Sequence, residues 1–297
     1  MSEISAQLVK QLREQTGAGM MECKKALVEA NGNVEEAVVI LRKRGLASAA
    51  KKSSRATKQG LIVTHLASNG QAGAMLELNC ESDFVARTDD FQELSAKLAG
   101  IVAGANHAEL ADLMAAEIEG TTVEEYLKAR IAKLGENMSV ARFSKFESTG
   151  VVGSYIHPGA QLGVMLELET SIADAASKPE VQELVKDVAM QIAAADPKFI
   201  RKEDVTPEVI EKEKEIQKAR VIAEGKPEKV AEKIVEGRMG KYYEEVCLLE
   251  QPFIKEGSIT VGELVKQKAK ALGGTINVAR FFRYKVGETA PTEAAAE

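Results

Sequence analysis

Six consecutive residues, Cys80-Glu81-Ser82-Asp83-Phe84-Val85, put a thiol, two carboxylates, a hydroxyl and an aromatic ring in one short stretch after an apolar run. Covalent chemistry here would need a base beside the thiol. The three histidines, His65, His107 and His157, lie far apart, and neither HExxH nor another metal-ligand spacing occurs. Cys80 also falls at an expected strand end, which disfavours a nucleophile–base pair with His157. The chain has no GxxxxGK[ST] and no GxGxxG, so a standard phosphate loop is not expected. No catalytic residue, metal or cofactor is assigned. What remains is recognition chemistry, with Asp83 as a hydrogen-bond acceptor beside Phe84, a ring that gains free energy by burial in another surface.

The chain carries its own control for that stretch. GLIVTHLASNGQAGAMLEL at 60–78 recurs as GVVGSYIHPGAQLGVMLEL at 150–168, with seven of nineteen positions identical. The copies then part, NCESDFVAR against ETSIADAAS, which sets Ala173 opposite Asp83 and Asp174 opposite Phe84. A scaffold that manages without Asp-Phe in one copy does not need the pair for folding. His157 is likewise special to one copy, since its counterpart is Ala67, and both a turn role and a binding role fit it. A second correspondence, at an offset of 138, matches 122–146 with 260–284 at ten of twenty-five positions. Each copy therefore reads as a hairpin, helices and a closing strand, with Asn69-Gly70 signalling the first turn. This is an α+β pattern with small antiparallel sheets.

At 297 residues the chain has room for two or three domains. Its net charge of -6 argues against a general nucleic-acid binder. Three scattered cysteines fit a reducing cytosol, and no apolar run approaches a membrane span, so a cytoplasmic location without a membrane partner is expected.

Residues 1–46 read as three short helices. The first starts at Ser5 or Glu3 and breaks at Thr16-Gly17. The second runs Met20 to Ala30, and the third is capped by Asn33 and closed by Gly45. Such a compact bundle resembles ubiquitin-associated domains. Adjacent Met20 and Met21 cannot both face one core, so a binding surface and a single buried methionine both stay open. Residues 47–58 read as a basic linker, and the seven basic residues from 42 to 58 lack the aromatics that base stacking needs. The first core copy spans 59–148; the second spans 149–200 and 249–286, the latter part holding a C-terminal module. The 48 extra residues at 201–248 carry eleven basic and twelve acidic side chains and form an expected antiparallel coiled-coil hairpin. Its seam is expected along Val209, Ile216 and Ala223, returning along Val230, Ile234, Met239, Tyr242 and Val246. Residues 287–297 read as a disordered acidic tail.

Taken with these parts, TGAGMMECKKALVEANGNVEEAV, ESDFVAR, GSYIHPG, QIAAADPKFI, GKPEKVAEKIVEGRM and QPF resemble bacterial elongation factor Ts, in order and over residues 1–286. The resemblance implies a guanine-nucleotide exchange factor for elongation factor Tu, binding its GDP-bound and nucleotide-free forms. It implies that Ser82, Asp83, Phe84 and Val85, standing where the family has Thr-Asp-Phe-Val, enter the partner and dislodge its magnesium. It also implies partner contacts at Arg13, Met20, Met21, Leu134, Gly135 and His157. A homodimer or a two-plus-two complex through the coiled coil or core is compatible with it. Two other readings predict different outcomes: an adaptor would not need Asp83 and Phe84, and an RNA-binding accessory protein would depend on Lys51 and Lys52.

Overall fold

The computed structural model describes residues 4–105 and 107–289, with Glu228 and Lys229 described by backbone alone. The described parts of 1–63, 75–144 and 285–297 form one compact unit, and 64–74 with 145–284 form a second.

The first unit begins with three helices, α1 (Ala6–Thr16), α2 (Met20–Glu29) and α3 (Val34–Lys52). Ser5 caps α1 by accepting from Leu8 N–H, and left-handed Gly17 ends it. Asn33 caps α3 through Glu36 N–H. Val9, Leu12, Cys23, Ala26, Leu27 and Ala37 make the bundle's core. Gly45 does not close α3, contrary to expectation, and the helix runs seven residues further. A glycine inside a helix costs about 1 kcal/mol, but a Cβ at Gly45 would lie 3.1 Å from Ala132 Cβ on α7 (Val123–Leu134). The missing side chain thus lets two helices approach closely. Half of the expected basic linker is therefore helical. Arg42 pairs with Glu125, Arg44 with Glu29 and Arg55 with Glu81, so part of the charge of the basic run from 42 to 58 is already partnered.

The duplication is visible element by element. The first copy comprises β1 (Gln59–Leu66), β2 (Ala72–Cys80), the single turn α4 (Asp83–Ala86), α5 (Asp89–Gly104) and α6 (Leu110–Ala115). It continues with β3 (Glu117–Ile118), β4 (Thr121–Thr122), α7 and β5 (Met138–Glu147). The second copy has β6 (Val151–Ile156), β7 (Leu162–Thr170) and α8 (Pro179–Ala195). After the insertion come β8 (Pro252–Phe253), β9 (Glu256–Thr260), α11 (Val261–Ala271) and β10 (Ile276–Lys285). The three-stranded sheets run β1-β2-β5 and β6-β7-β10, the same order in both copies. β6 and β7 are antiparallel, with Val151 opposite Leu168. Thr122 and Thr260 each cap the helix that follows, and Gly135 and Gly273 each take left-handed backbone after it.

An ion pair on a buried carboxylate is duplicated too: Arg142 Nε donates to Glu77 at 2.7 Å, and Arg280 pairs with Glu167. Glu77 also accepts from Gly287 N–H at 2.9 Å, while Glu288 reaches Arg142 at 3.2 Å. A buried carboxylate needs such partners, and they hold residues 287–289 in a turn although disorder is expected from 287. Residues 290–297 of that expected tail lie outside the described residues.

The insertion folds as α9 (Pro207–Ala223) and α10 (Glu228–Val246) around Val221, Ala231, Val235 and Met239. On α9 the seam passes through Ile210 and Val221, one position away from the expected register at the start. Ile216 and Val230 are exposed instead. The seam between Ile210 and Val221 is filled by half-buried Glu213 and Gln217, hydrogen-bonded to each other at 2.6 Å. Polar seam positions hid the register from an apolar count. Among the described residues no helix is long and apolar enough to cross a membrane.

Candidate functional site

The stretch after β2 is a one-turn helix, where a loop is expected. Ser82 supplies the N-cap, its Oγ accepting from Val85 N–H at 3.4 Å. A helix this short cannot hold itself together, so the bonds at its root decide its geometry. Glu136, just past the end of α7, accepts from Ser82 N–H at 2.9 Å and from the Ser82 hydroxyl at 2.5 Å. In return Glu81 accepts from Asn137 N–H at 2.6 Å. Asn137 Nδ2 donates to Arg55 O at 2.8 Å, and the Cys80 thiol donates to Ser82 O at 3.1 Å.

With Ser82 tied to Glu136 at its root, α4 presents Phe84 outward at 81% exposure, while Ala86 is buried. Val85 is half-buried. Asp83 is partly exposed and pairs with Arg87 at 2.8 Å. Exposed pairs of this kind contribute at most about 1 kcal/mol, so the Asp83 carboxylate exchanges partners at little cost. Burial pushes the Cys80 thiol up to about 12, with the Glu136 charge adding to the effect. Cys80 is therefore a protonated packing residue and no nucleophile.

The other expected contact residues fall in three places. Leu134 and Gly135 directly precede Glu136, so they stand beside the Ser82 turn; Gly135 is left-handed with φ +84°. Arg13 is exposed on α1, and Met20 and Met21 are both exposed, at 54% and 65%. The buried stripe of α2 starts only at Cys23, so neither methionine is a core residue. The turn before them packs on the α7 end, where a Cβ at Gly17 would lie 3.0 Å from Lys133 Cε. His157 belongs to the second unit. It sits exposed in the β6–β7 turn, with Nδ1 3.1 Å from Tyr155 Oη.

Glu136 and Asn137 escape motif reading, and Glu81 enters it only as part of ESDFVAR, although one signal was available for all three. In the second copy their counterparts are Ser171, Gly274 and Thr275, and an acid that becomes glycine across a duplication marks a contact only one copy makes. Among the described residues no group of three or more His, Cys, Asp or Glu could hold a metal ion. The arrangement is fit for insertion into another surface: an exposed ring and an exchangeable carboxylate on a fixed root.

The family model described as Elongation factor TS matches residues 81–288. Elongation factor Ts of Clostridium botulinum (strain Eklund 17B / Type B) is 48% identical over 287 residues, 96% of this chain and 93% of that one. That of Solibacter usitatus (strain Ellin6076) is 48% identical over 297 residues, covering 100% and 98%. That of Clostridioides difficile (strain 630) is 45% identical over 289 residues, covering 97% and 94%. With a duplicated α+β core, a turn that differs between its copies, and relatives this similar over nearly the whole length, the chain belongs to the elongation factor Ts family.

Proposed function

We propose that this elongation factor is a cytoplasmic guanine-nucleotide exchange factor for elongation factor Tu, and that Ser82–Val85 are the part that disturbs the partner's magnesium and phosphate site. The observation that carries the reading is Phe84, fully presented on a turn whose counterpart in the second copy has no aromatic residue. GDP in such a GTPase is held by magnesium and by backbone N–H groups around the phosphates. Burying Phe84 in a partner that has opened contributes roughly 1.5–3 kcal/mol, available only in the opened state. Asp83 leaves Arg87 to accept from groups displaced by that opening.

One decade of faster release needs about 1.4 kcal/mol, so the ring accounts for one or two decades. Contacts made by each unit, through Arg13, Met20, Met21, Leu134 and Gly135 on the first and His157 on the second, supply the rest. Reciprocity requires that nucleotide weaken binding of this protein by the same factor by which this protein weakens nucleotide binding. No bond is made or broken, so the chain acts as a binding catalyst and not as an enzyme in the covalent sense.

The test is release of a fluorescent GDP analogue from elongation factor Tu, with excess GDP and magnesium. The parent is expected to accelerate release. An Asp83→Ala/Phe84→Ala variant that still binds nucleotide-free partner is expected to lose most of that acceleration. Folded parent that leaves the rate unchanged would refute exchange and favour an adaptor role.

A further inference from the structure

We propose that Glu136 is the positioning residue of the exchange turn: by holding Ser82 through both its N–H and its hydroxyl, it fixes the direction in which α4 presents Asp83 and Phe84. The inference rests on the exchange reading above and adds to it a residue that need not touch the partner.

Three observations carry it. First, the contacts are reciprocal. Glu136 reaches from the α7–β5 connection to Ser82 at 2.9 and 2.5 Å, and Glu81 reaches back to Asn137 N–H at 2.6 Å. Two crossed carboxylates define an orientation where one bond would leave a pivot. Secondly, Ser82 is the N-cap of α4, and its hydroxyl must direct a lone pair at Val85 N–H. Donating its proton to Glu136 sets that lone pair, so the carboxylate reaches the helix through the cap. Thirdly, the second copy dispenses with this contact. Thr275 N–H still donates to Ser171 Oγ at 2.9 Å, matching the bond between Asn137 and Glu81. Glu136, however, has become Gly274, and Ile172 lies where a Cβ on that glycine would come within 2.5 Å of it. The carboxylate lock is present in the copy with the outward ring and replaced by apolar contact in the copy without it. A site held by its supporting shell loses less freedom on docking, which is why such a shell affects the docked step.

The experiment uses the full chain with two readouts. Glu136→Ala removes the lock. Glu136→Gln keeps an oxygen for Ser82 N–H and offers an amide to its hydroxyl. In the fluorescent-GDP assay, titrated to saturation, Glu136→Ala is expected to lower the maximal release rate about tenfold, the size of losing a charge-assisted bond. The half-saturating concentration should move much less, and Glu136→Gln should recover most of the rate.

The second readout is alkylation of Cys80 by iodoacetamide, followed by peptide mass spectrometry with Cys23 and Cys247 as buried internal references. Cys80 donates to Ser82 O, so opening of the turn should expose it, and Glu136→Ala should speed its alkylation about tenfold. Cys23 and Cys247 should keep their parental rates; their joint acceleration would mean general loosening and overturn a local role. An exchange-competent parent whose Glu136→Ala variant keeps the parental maximal rate would overturn the positioning role alone. A parent that fails to accelerate release overturns the exchange reading, and the role of Glu136 in exchange with it.

Discussion

The turns after β2 and β7 occupy the same place in two copies of one scaffold and are closed by different physics. In both, a side chain from the turn accepts the N–H of the residue that leads into the last strand: Glu81 from Asn137, Ser171 from Thr275. In both, the strand's last residue makes a local bond two residues on, Cys80 Sγ donating to Ser82 O and Thr170 Oγ1 accepting from Ile172 N–H. Beyond that shared frame they diverge. The second turn packs Ile172 over Gly274 and buries Ala175. The first uses a carboxylate where the second uses an apolar side chain, and its ring is left outside. A ring that folding leaves unburied, beside a scaffold copy that closes without one, is free for the intermolecular contact proposed above.

The shared frame gives the largest expected effect. A Cβ at Gly60 would lie 2.2 Å from Leu78 O, and one at Gly150 would lie 2.1 Å from Leu168 O. Backbone atoms cannot yield as side chains do. Gly60→Ala and Gly150→Ala should each cost about 3 kcal/mol or more in urea unfolding. If one proves mild while the other unfolds the chain, the two frames are not equivalent and the comparison fails at its base.

The divergent positions should behave oppositely. Phe84→Ala should leave stability within about 0.5 kcal/mol, since the ring touches little of its own chain, yet slow maximal GDP release roughly ten- to a hundredfold. Ile172→Ala should cost about 1 kcal/mol of stability and leave release at the parental rate. A Phe84→Ala variant that loses stability and keeps its exchange rate would assign the ring to folding.

How much of this was legible in the chain follows from the range of each interaction. Ser5, Asn33 and the Gly17 stop act within four residues, and their types announce them. The offsets of 90 and 138 exposed the duplication, and through it Asp83 and Phe84. Gly45 looked like a helix end because its reason for being glycine is Ala132, 87 residues away. The coiled-coil register was hidden by Glu213 and Gln217 at positions an apolar count skips. Glu136 went unseen because its partner, Ser82, is 54 residues distant. Only comparison with Gly274 could have raised it.

Exchanging the two closures tests whether they are alternatives. Gly274→Glu alone should be destabilising, since its Cβ meets Ile172. Ile172→Ser alone removes apolar contact over a glycine. Together they install the first copy's pair in the second, and a double-mutant cycle should show favourable coupling of about 1 kcal/mol. Zero coupling would mean that the carboxylate lock needs more of the first copy than Ser82 and Glu136.

The smallest effect separates the turns by pH. Cys80 is held protonated in the fold, its thiol raised from 9.0 to about 12 by burial, with the Glu136 charge second; Thr170 at the same place does not titrate. A group whose folded value is raised stabilises the fold fully below its unfolded value. That contribution is lost as pH rises from about 9 towards 12. Between pH 7.5 and 9.5, the parent should therefore lose somewhat under about 1 kcal/mol more stability than Cys80→Thr. Cys247, whose thiol burial also raises to about 11, is common to both chains and cancels in the difference. Equal slopes for parent and variant would show that Cys80 meets solvent in the folded protein, and the Ser82 turn would then be open much of the time.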